Sequence, residues 1–149
     1  MNLLVLLRNK TEIGVTLIEL LLVISIIAIV GSITAPVLSR LVLQINLNSS
    51  ENKIVSTIRK AQEYSMDGKG NGIWGLCLSG SNVILYDGTC SNPLSSDIFS
   101  IPNTVIISGL IDTSFNLRGE PSNVLNVSLS TSLDSRTIQI NSAGGFNVN

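Results

Sequence analysis

The chain has 149 residues, a length that suffices for one small domain and one long helix but hardly for two hydrophobic cores. Its net charge is -1 and it contains no histidine, which removes the commonest general base and the commonest zinc ligand. We therefore expect neither an enzyme nor a bound cofactor, and the near-neutral charge provides no general attraction to nucleic acid.

The apolar residues, 44% of the chain, are concentrated near the N-terminus. After a lead-in of residues 1–14, the run from Val15 to Val30 is almost unbroken, and it continues more weakly to Leu38. Roughly 20 apolar residues, at a rise of about 1.5 Å each, span a hydrocarbon core of about 30 Å. The pattern predicts a transmembrane helix over residues 15–38. Because proline lacks an N–H and clashes with the preceding turn, Pro36 predicts a break or local weakening of this helix.

Beyond the apolar run the pattern becomes amphipathic. Apolar or small residues recur at spacings of seven, four, three and four, which places them on one helical face. They are Leu47, Ile54, Ile58, Ala61 and Ser65. We predict an amphipathic helix over residues 39–67 that packs this face onto a folded domain. The glycine-rich stretch from Asp67 to Gly72 is typical of a helix C-terminus followed by a turn.

The remainder of the chain shows the signals of short strands. Residues 73–78 and 83–86 flank a Ser-Gly-Ser-Asn turn and predict a hairpin. Residues 104–110 are β-branched and apolar, while residues 125–129 and 138–141 alternate between apolar and polar side chains. We predict an α+β fold, in which one long N-terminal helix packs on an antiparallel β-sheet within a β-rich head of residues 68–149.

Glu19 is unusual because it lies at the fifth position of the apolar run. On insertion scales, an acidic residue at the centre of a membrane helix costs about 2.5–3.5 kcal/mol, with a smaller cost near the interface. An acid inside a membrane segment therefore indicates a functional site, and it needs a partner. The acid belongs to the stretch Gly14-Val15-Thr16-Leu17-Ile18-Glu19-Leu20, which resembles the class III signal of type IV prepilins and type II secretion pseudopilins.

The resemblance implies a route of processing and assembly. A membrane aspartyl peptidase, the prepilin peptidase, would cut between Gly14 and Val15 and methylate the new N-terminus at Val15. Glu19 would then neutralise the terminal ammonium group of an adjacent subunit. The implied partners are the prepilin peptidase, other pilins or pseudopilins and an inner-membrane assembly platform. The protein would cross the bacterial cytoplasmic membrane once, with its head outside the cytoplasm, and then enter a filament.

Several stretches beyond the membrane helix extend the resemblance more loosely. They are similar to GspH/FimT minor pseudopilins, which have a long N-terminal helix packed on β-sheets. The stretches are residues 58–65, Trp74-Gly75, residues 115–119 and Gly144-Gly145. On this resemblance, the expected function is that of a structural, minor subunit of a type IV pilus or a type II secretion pseudopilus.

Other interpretations remain open from the sequence. The apolar run could be an ordinary membrane anchor or a secretory signal peptide, although a signal peptide has a shorter apolar region and a small-x-small cleavage site. The head could be a surface receptor that binds DNA for uptake, or an anchored enzyme. The sheet region contains only Arg118 and Arg136 as basic residues, and salt-dependent DNA binding requires more phosphate contacts than these supply.

Cys77 and Cys90 are the two cysteines of the chain, so a disulfide has one possible connectivity. In a hairpin that turns at residues 80–81, Cys77 faces Ile84 and not Cys90. The chain after Tyr86 must then fold back for the two cysteines to meet within a Cα distance of about 4.4–6.8 Å. A disulfide outside the cytoplasm and two free thiols are both open.

The segment after the predicted hairpin contains Asp87, Asn92 and Asp97, whose side chains offer oxygen ligands of the kind that calcium accepts. The EF-hand spacing is not present, and these residue types are equally typical of turns. We predict that these residues stabilise turns and that they form no metal site.

Overall fold

The computed structural model describes residues 14–70 and 72–149. A 50-residue helix, α1, extends from Leu17 to Met66, and eight β-strands follow within the described residues. Packing divides the chain after Leu38 into an N-terminal unit and a unit of residues 39–149, called the head unit below. The predicted α+β architecture, a long N-terminal helix followed by antiparallel sheets, is confirmed.

A glycine cap ends α1. The N–H of Lys69 donates to the carbonyl of Tyr64 at 3.0 Å, and the N–H of Gly68 donates to the carbonyl of Ser65 at 3.2 Å. This pair of bonds is the Schellman motif, which places a left-handed residue just past the helix. Gly68 occupies that position with φ 64°, a conformation that other residues adopt at a cost. The predicted glycine-rich helix end is confirmed.

The strands of the head unit form two antiparallel sheets of four strands each. They are β1 (Trp74–Ser79), β2 (Asn82–Asp87), β3 (Ser95–Ser100), β4 (Ile106–Ser108), β5 (Thr113–Phe115), β6 (Leu125–Ser130), β7 (Ser135–Ile140) and β8 (Phe146–Val148). The first sheet has the order β3-β2-β1-β5, and the second has the order β4-β6-β7-β8. The predicted hairpin is β1–β2, and the two alternating segments are β6 and β7.

The sequence predicted one sheet where the structure has two. β5 returns to β1, where Phe115 lies opposite Trp74, whereas β4 pairs with β6. Strands that are close in the chain therefore join different sheets. β5 and β8 have three residues each, which is too short for an alternating pattern to appear. β3 is mostly exposed and so carries little of the burial pattern that identifies a strand.

The predicted face of the amphipathic helix segment is buried in the head unit. Its residues, each no more than 1% exposed, are Leu47, Ile54, Ile58, Ala61 and Ser65. The apolar members join one cluster with residues of both sheets, such as Leu76 of β1 and Ile138 of β7. Full burial of a large aliphatic side chain contributes about 1.5–3 kcal/mol, so this face holds the helix on the sheets.

Gly75 allows an aromatic ring to lie over the outer side of the first sheet. Tyr86 is opposite Gly75 in the β1–β2 register. A Cβ at position 75 would come within 2.5 Å of the Tyr86 ring and 2.7 Å of the carbonyl oxygen of Thr113. The Tyr86 hydroxyl donates a hydrogen bond to the Asp112 carboxylate. Burial of the hydroxyl group is the larger cause that raises the pKa of Tyr86 above its ordinary value, and the hydrogen bond to Asp112 is the second cause.

Gly75→Ala is expected to lower the free energy of unfolding of the head unit by about 1–3 kcal/mol, the usual cost of overpacking. Trp74, the single tryptophan, is 4% exposed in the core, so its fluorescence reports unfolding of this unit in detergent solution. Gly31→Ala is the control, because a Cβ at position 31 meets no atom within 4 Å. An unchanged transition for Gly75→Ala would contradict the close approach of the Tyr86 ring.

A disulfide joins Cys77 and Cys90, whose Cα atoms are 6.2 Å apart. Cys77 lies opposite Ile84, as the hairpin predicted, and the chain after β2 folds back. This return brings the N–H of Leu94 to the carbonyl of Asp87 at 3.0 Å. The disulfide is confirmed, and the alternative of two free thiols does not hold in this structure.

Replacing both cysteines by alanine is expected to lower the free energy of unfolding by about 3 kcal/mol, the chain-entropy value for a closed loop of about 15 residues. The Cys77–Cys90 pair closes a loop with a sequence separation of 13. A reductant should produce the same loss in the wild type and none in the double-alanine variant, measured by thermal unfolding. Equal stability of the wild type with and without reductant would show that the disulfide does not constrain the head.

Candidate processing and assembly site

Thr16 caps the beginning of α1. Residues Gly14 to Thr16 precede the helix, which begins at Leu17. The side-chain Oγ1 of Thr16 accepts a hydrogen bond from the N–H of Glu19 at 3.3 Å, and its carbonyl accepts one from Leu20 at 3.1 Å. Threonine is a preferred N-cap residue because its oxygen satisfies an otherwise unpaired helical N–H. This role of Thr16 was not predicted from the sequence, although the Thr-x-x-Glu spacing is the signature of a capping box.

Glu19 lies in the first turn of α1 and is exposed. A carboxylate is favoured there, because the partial positive charge of the helix N-terminus contributes about 0.3–1 kcal/mol. The acid is therefore at the end of the apolar segment where its cost is smallest, and its exposed side chain can meet a partner. Gly14 and Val15 immediately precede this turn, and Val15 is 69% exposed. Cleavage between them, methylation of Val15 and pairing of Glu19 remain predictions.

Over residues 17–32, the apolar segment of α1 exposes its side chains on all sides. An 18-residue window of the helix has a mean hydropathy of 2.6 and none of it is buried; the side chains of Leu17 and Ile18 are 77% and 74% exposed. A helix that is apolar all round requires lipid or other helices as its surroundings. By length and composition this helix can cross a membrane.

Two serine hydroxyl groups inside the apolar segment are satisfied within the helix. Ser25 Oγ donates to the carbonyl of Leu21 at 2.7 Å, and Ser32 Oγ donates to the carbonyl of Ile29 at 2.8 Å. Such bonds remove most of the cost of a hydroxyl group in a non-aqueous medium. These serines are therefore compatible with lipid in a way that the carboxylate of Glu19 is not.

Pro36 does not interrupt the helix in the structure. α1 is continuous from Leu17 to Met66 with the proline inside it, so the predicted break is absent. The ring still removes the N–H that would bond to the carbonyl four residues earlier. Local weakening at this position remains a prediction.

Comparison with known families places the N-terminal features in one motif. The family model of the prokaryotic N-terminal methylation motif matches residues 9–35, a segment that includes Gly14, Val15 and Glu19. The chain therefore carries the prepilin type of N-terminal motif. The motif implies processing by the prepilin peptidase and assembly with other pilins. No curated protein and no solved structure matches the chain. Of the predicted leader, residues 1–13 lie outside the described residues.

The other candidate residues, which lie in the head unit, have local structural roles. Asp97 forms a 2.7 Å ion pair with Lys60, and this hydrogen bond raises the pKa of Lys60. Asp87 is buried at the end of β2, at 3% exposure. Within residues 14–70 and 72–149, His, Cys, Asp and Glu form no group of three or more that could hold a metal ion.

The two arginines of the sheet region are separate. The side chain of Arg136 lies 3.8 Å from both the Glu51 and the Asp134 carboxylates. Arg118 lies in a tight turn, where its N–H donates to the Asn116 side chain at 2.8 Å. The positive charge of Arg136 is therefore partly compensated, which weakens the DNA-binding interpretation because phosphate contacts depend on free cationic groups.

Proposed function

We propose that this protein is a structural subunit of a type IV pilus or a type II secretion pseudopilus, of the GspH/FimT minor type, and not an enzyme. The observation that carries the proposal is the position of Glu19, an exposed carboxylate in the first capped turn of an apolar helix, five residues after Gly14. The match of residues 9–35 to the methylation motif supports it. The subtype rests on the looser resemblance of residues 58–65 and 115–119.

Hydrolysis of the Gly14–Val15 peptide bond supplies the charge that Glu19 lacks. Water adds across the bond, so Gly14 leaves with the leader as a carboxylate and Val15 keeps an ammonium group. Methylation of that nitrogen leaves it cationic. Cleavage also removes Arg8 and Lys10, which would otherwise hold the helix on the cytoplasmic side.

A neighbouring subunit offset along the filament axis then brings its own Val15 ammonium to Glu19. In a medium of low dielectric constant, an unpaired carboxylate is costly, whereas a close ion pair offsets much of that cost. The carboxylate of Glu19 therefore costs little on insertion near the interface, and its pairing with a neighbouring ammonium group favours assembly. Assembly in the correct axial register is the one arrangement that pairs every acid in the filament core.

The proposal divides the chain by function. Residues 1–14 form the leader, residues 15–38 the transmembrane helix, residues 39–67 the amphipathic helix and residues 68–149 the head. The head lies outside the cytoplasm, where the Cys77–Cys90 disulfide persists in an oxidising environment. The partners are the prepilin peptidase, an inner-membrane assembly platform and other pilins or pseudopilins.

Fractionation of cells tests this function. We expect the processed chain in filaments sheared from the cell surface, and we expect it to stay in the membrane fraction when the prepilin peptidase is deleted. Immunoblotting of both fractions measures the distribution. If the chain remained wholly in the membrane while filaments were recovered from the same cells, the apolar helix would be an ordinary membrane anchor instead.

A further inference from the structure

The outer face of the second sheet bears uncharged side chains. Along β6, Leu125, Val127 and Leu129 are buried, so the alternate residues point to the other face. The register assigns the matching positions on the neighbouring strands. This neutral face consists of Ile106 and Ser108 of β4, Asn126, Ser128 and Ser130 of β6, Ser135, Thr137 and Gln139 of β7, and Asn147 of β8. None of these side chains carries a charge.

The polar groups of the neutral face are arranged in rows across the strands. Asn126, Gln139 and Asn147 form an amide row, and Ser108, Ser128 and Thr137 form a hydroxyl row. Neighbouring strands lie about 4.8 Å apart, so each row repeats its donors and acceptors at that interval. Within the described residues, the side chains of the amide row make no hydrogen bond to the protein. Their hydrogen-bonding groups are therefore available to a ligand.

A cavity of about 280 Å³ lies at the end of the amide row. It is lined by Gln139, Asn141, Gly145, Phe146 and Asn147. Asn141 Oδ1 accepts the N–H groups of Ala143 and Gly145 at 3.0 and 2.9 Å, which fixes the β7–β8 turn and leaves the amide NH₂ as a donor. Small-molecule sites have volumes of about 300–1,000 Å³, so this cavity has room for one small unit and not for a large ligand.

The chemistry of the face selects among ligand classes. Phosphate groups of nucleic acids and of anionic lipids require Lys or Arg, which the face lacks. The centre of a protein interface is enriched in aromatic and apolar residues, and the face offers Ile106 alone. A solvated surface ordinarily mixes charges of both signs. Hydroxyl and amide groups, which both donate and accept hydrogen bonds, match a ligand that is itself rich in uncharged hydroxyl groups.

We propose that the neutral face binds a neutral polysaccharide. The cavity beside Gln139 and Asn147 holds one sugar unit, and the amide row contacts the units that follow it across the strands. The strand spacing is close to the repeat of a linear pyranose chain, so successive units meet successive side chains. This inference goes beyond filament assembly and does not depend on it, since the neutral face belongs to the head unit alone.

Retention on polysaccharide beads tests the proposal. The full-length protein in detergent micelles is applied to chitin, cellulose and mannan beads, with heparin beads as the charged comparison. We expect retention on at least one neutral polysaccharide, and little change when salt rises from about 50 mM to about 500 mM, because uncharged hydrogen bonds are not screened. The double variant Gln139→Ala/Asn147→Ala should lower the retention about tenfold, equivalent to about 1.4 kcal/mol and within the range for two or more lost hydrogen bonds.

Asn123→Ala is the matched control, because Asn123 is an exposed amide outside the neutral face. Thr137→Val provides a second test. It removes a hydroxyl group of the neutral face while conserving the shape of the side chain, so it should also lower the retention. Trp74 fluorescence verifies that each variant is folded. Three results would each overturn the proposal: no retention on any of the neutral polysaccharides, equal retention of the double variant and the control, or salt-sensitive retention on heparin alone.

Discussion

Glu19→Ala is expected to leave cleavage nearly intact and to lower the amount of this protein in sheared filaments at least about tenfold, which corresponds to about 1.4 kcal/mol of lost assembly energy. The variant subunit still provides its own Val15 ammonium, but it no longer accepts that of a neighbour. Glu19→Gln, which keeps the size of the side chain without its charge, should have a similar effect. The ratio of filament to membrane protein on immunoblots measures the change.

The direction of this effect separates charge pairing from membrane insertion. Removing an acid from the apolar segment eases insertion into lipid by up to about 2.5–3.5 kcal/mol. A fall in incorporation therefore cannot come from poorer insertion. Glu63→Gln is the control, because Glu63 is an exposed acid of α1 within the head unit. Recovery of Glu19→Ala in filaments at the wild-type level would show that Glu19 is a tolerated interfacial acid.

Gly14→Ala, or a bulkier substitution, is expected to abolish processing, so that the full-length chain accumulates and the mature band disappears from a gel. The motif implies that the peptidase reads a residue without a side chain before the scissile bond. The folded chain has no such requirement, because a Cβ at Gly14 meets no atom within 4 Å. A loss of processing therefore reports recognition by the peptidase and not misfolding.

Gly31→Ala serves as the matched glycine control within the same apolar segment, where a Cβ also has open space. It should be processed like the wild type. A normal mature band from Gly14→Ala would place the cleavage elsewhere and remove the ammonium group that the assembly model assigns to Val15.

The sequence predicted those parts of the fold that follow a local periodicity. The buried face of the helix from Leu47 to Ser65 was predicted correctly, because one helical repeat over five turns leaves little ambiguity. Strands β6 and β7 were predicted for a similar reason, since apolar and polar side chains alternate along them. The β1–β2 hairpin was predicted from the Ser-Gly-Ser-Asn turn between its strands.

Features that depend on contacts between distant segments were not predictable in this way. The division into two sheets is decided by the return of Phe115 to Trp74. The space that Gly75 leaves for Tyr86 is visible only when the two strands are paired. The disulfide was left open because no local pattern shows that the chain folds back after β2 to bring Cys90 to Cys77.

The candidate site was largely visible in the sequence, because an acid in an apolar run requires an explanation wherever it occurs. Glu19 was identified in this way, whereas Gly14 and Val15 were identified from the resemblance of the surrounding stretch to prepilin signals. The motif match covers all three residues. The cap at Thr16 was overlooked although its spacing to Glu19 indicates it. Pro36 was predicted to break or locally weaken the helix, and in the structure the helix continues through it. The turns on both sides of the proline are helical, and they determine the conformation at this position more than the proline does.

Mass spectrometry of the N-terminus of protein recovered from sheared filaments tests the central claim most directly. The account predicts a chain that begins at Val15 and carries one methyl group on its terminal nitrogen. A filament subunit that retains residues 1–14 would contradict it, since no ammonium group would then exist at Val15 for Glu19 of a neighbouring copy.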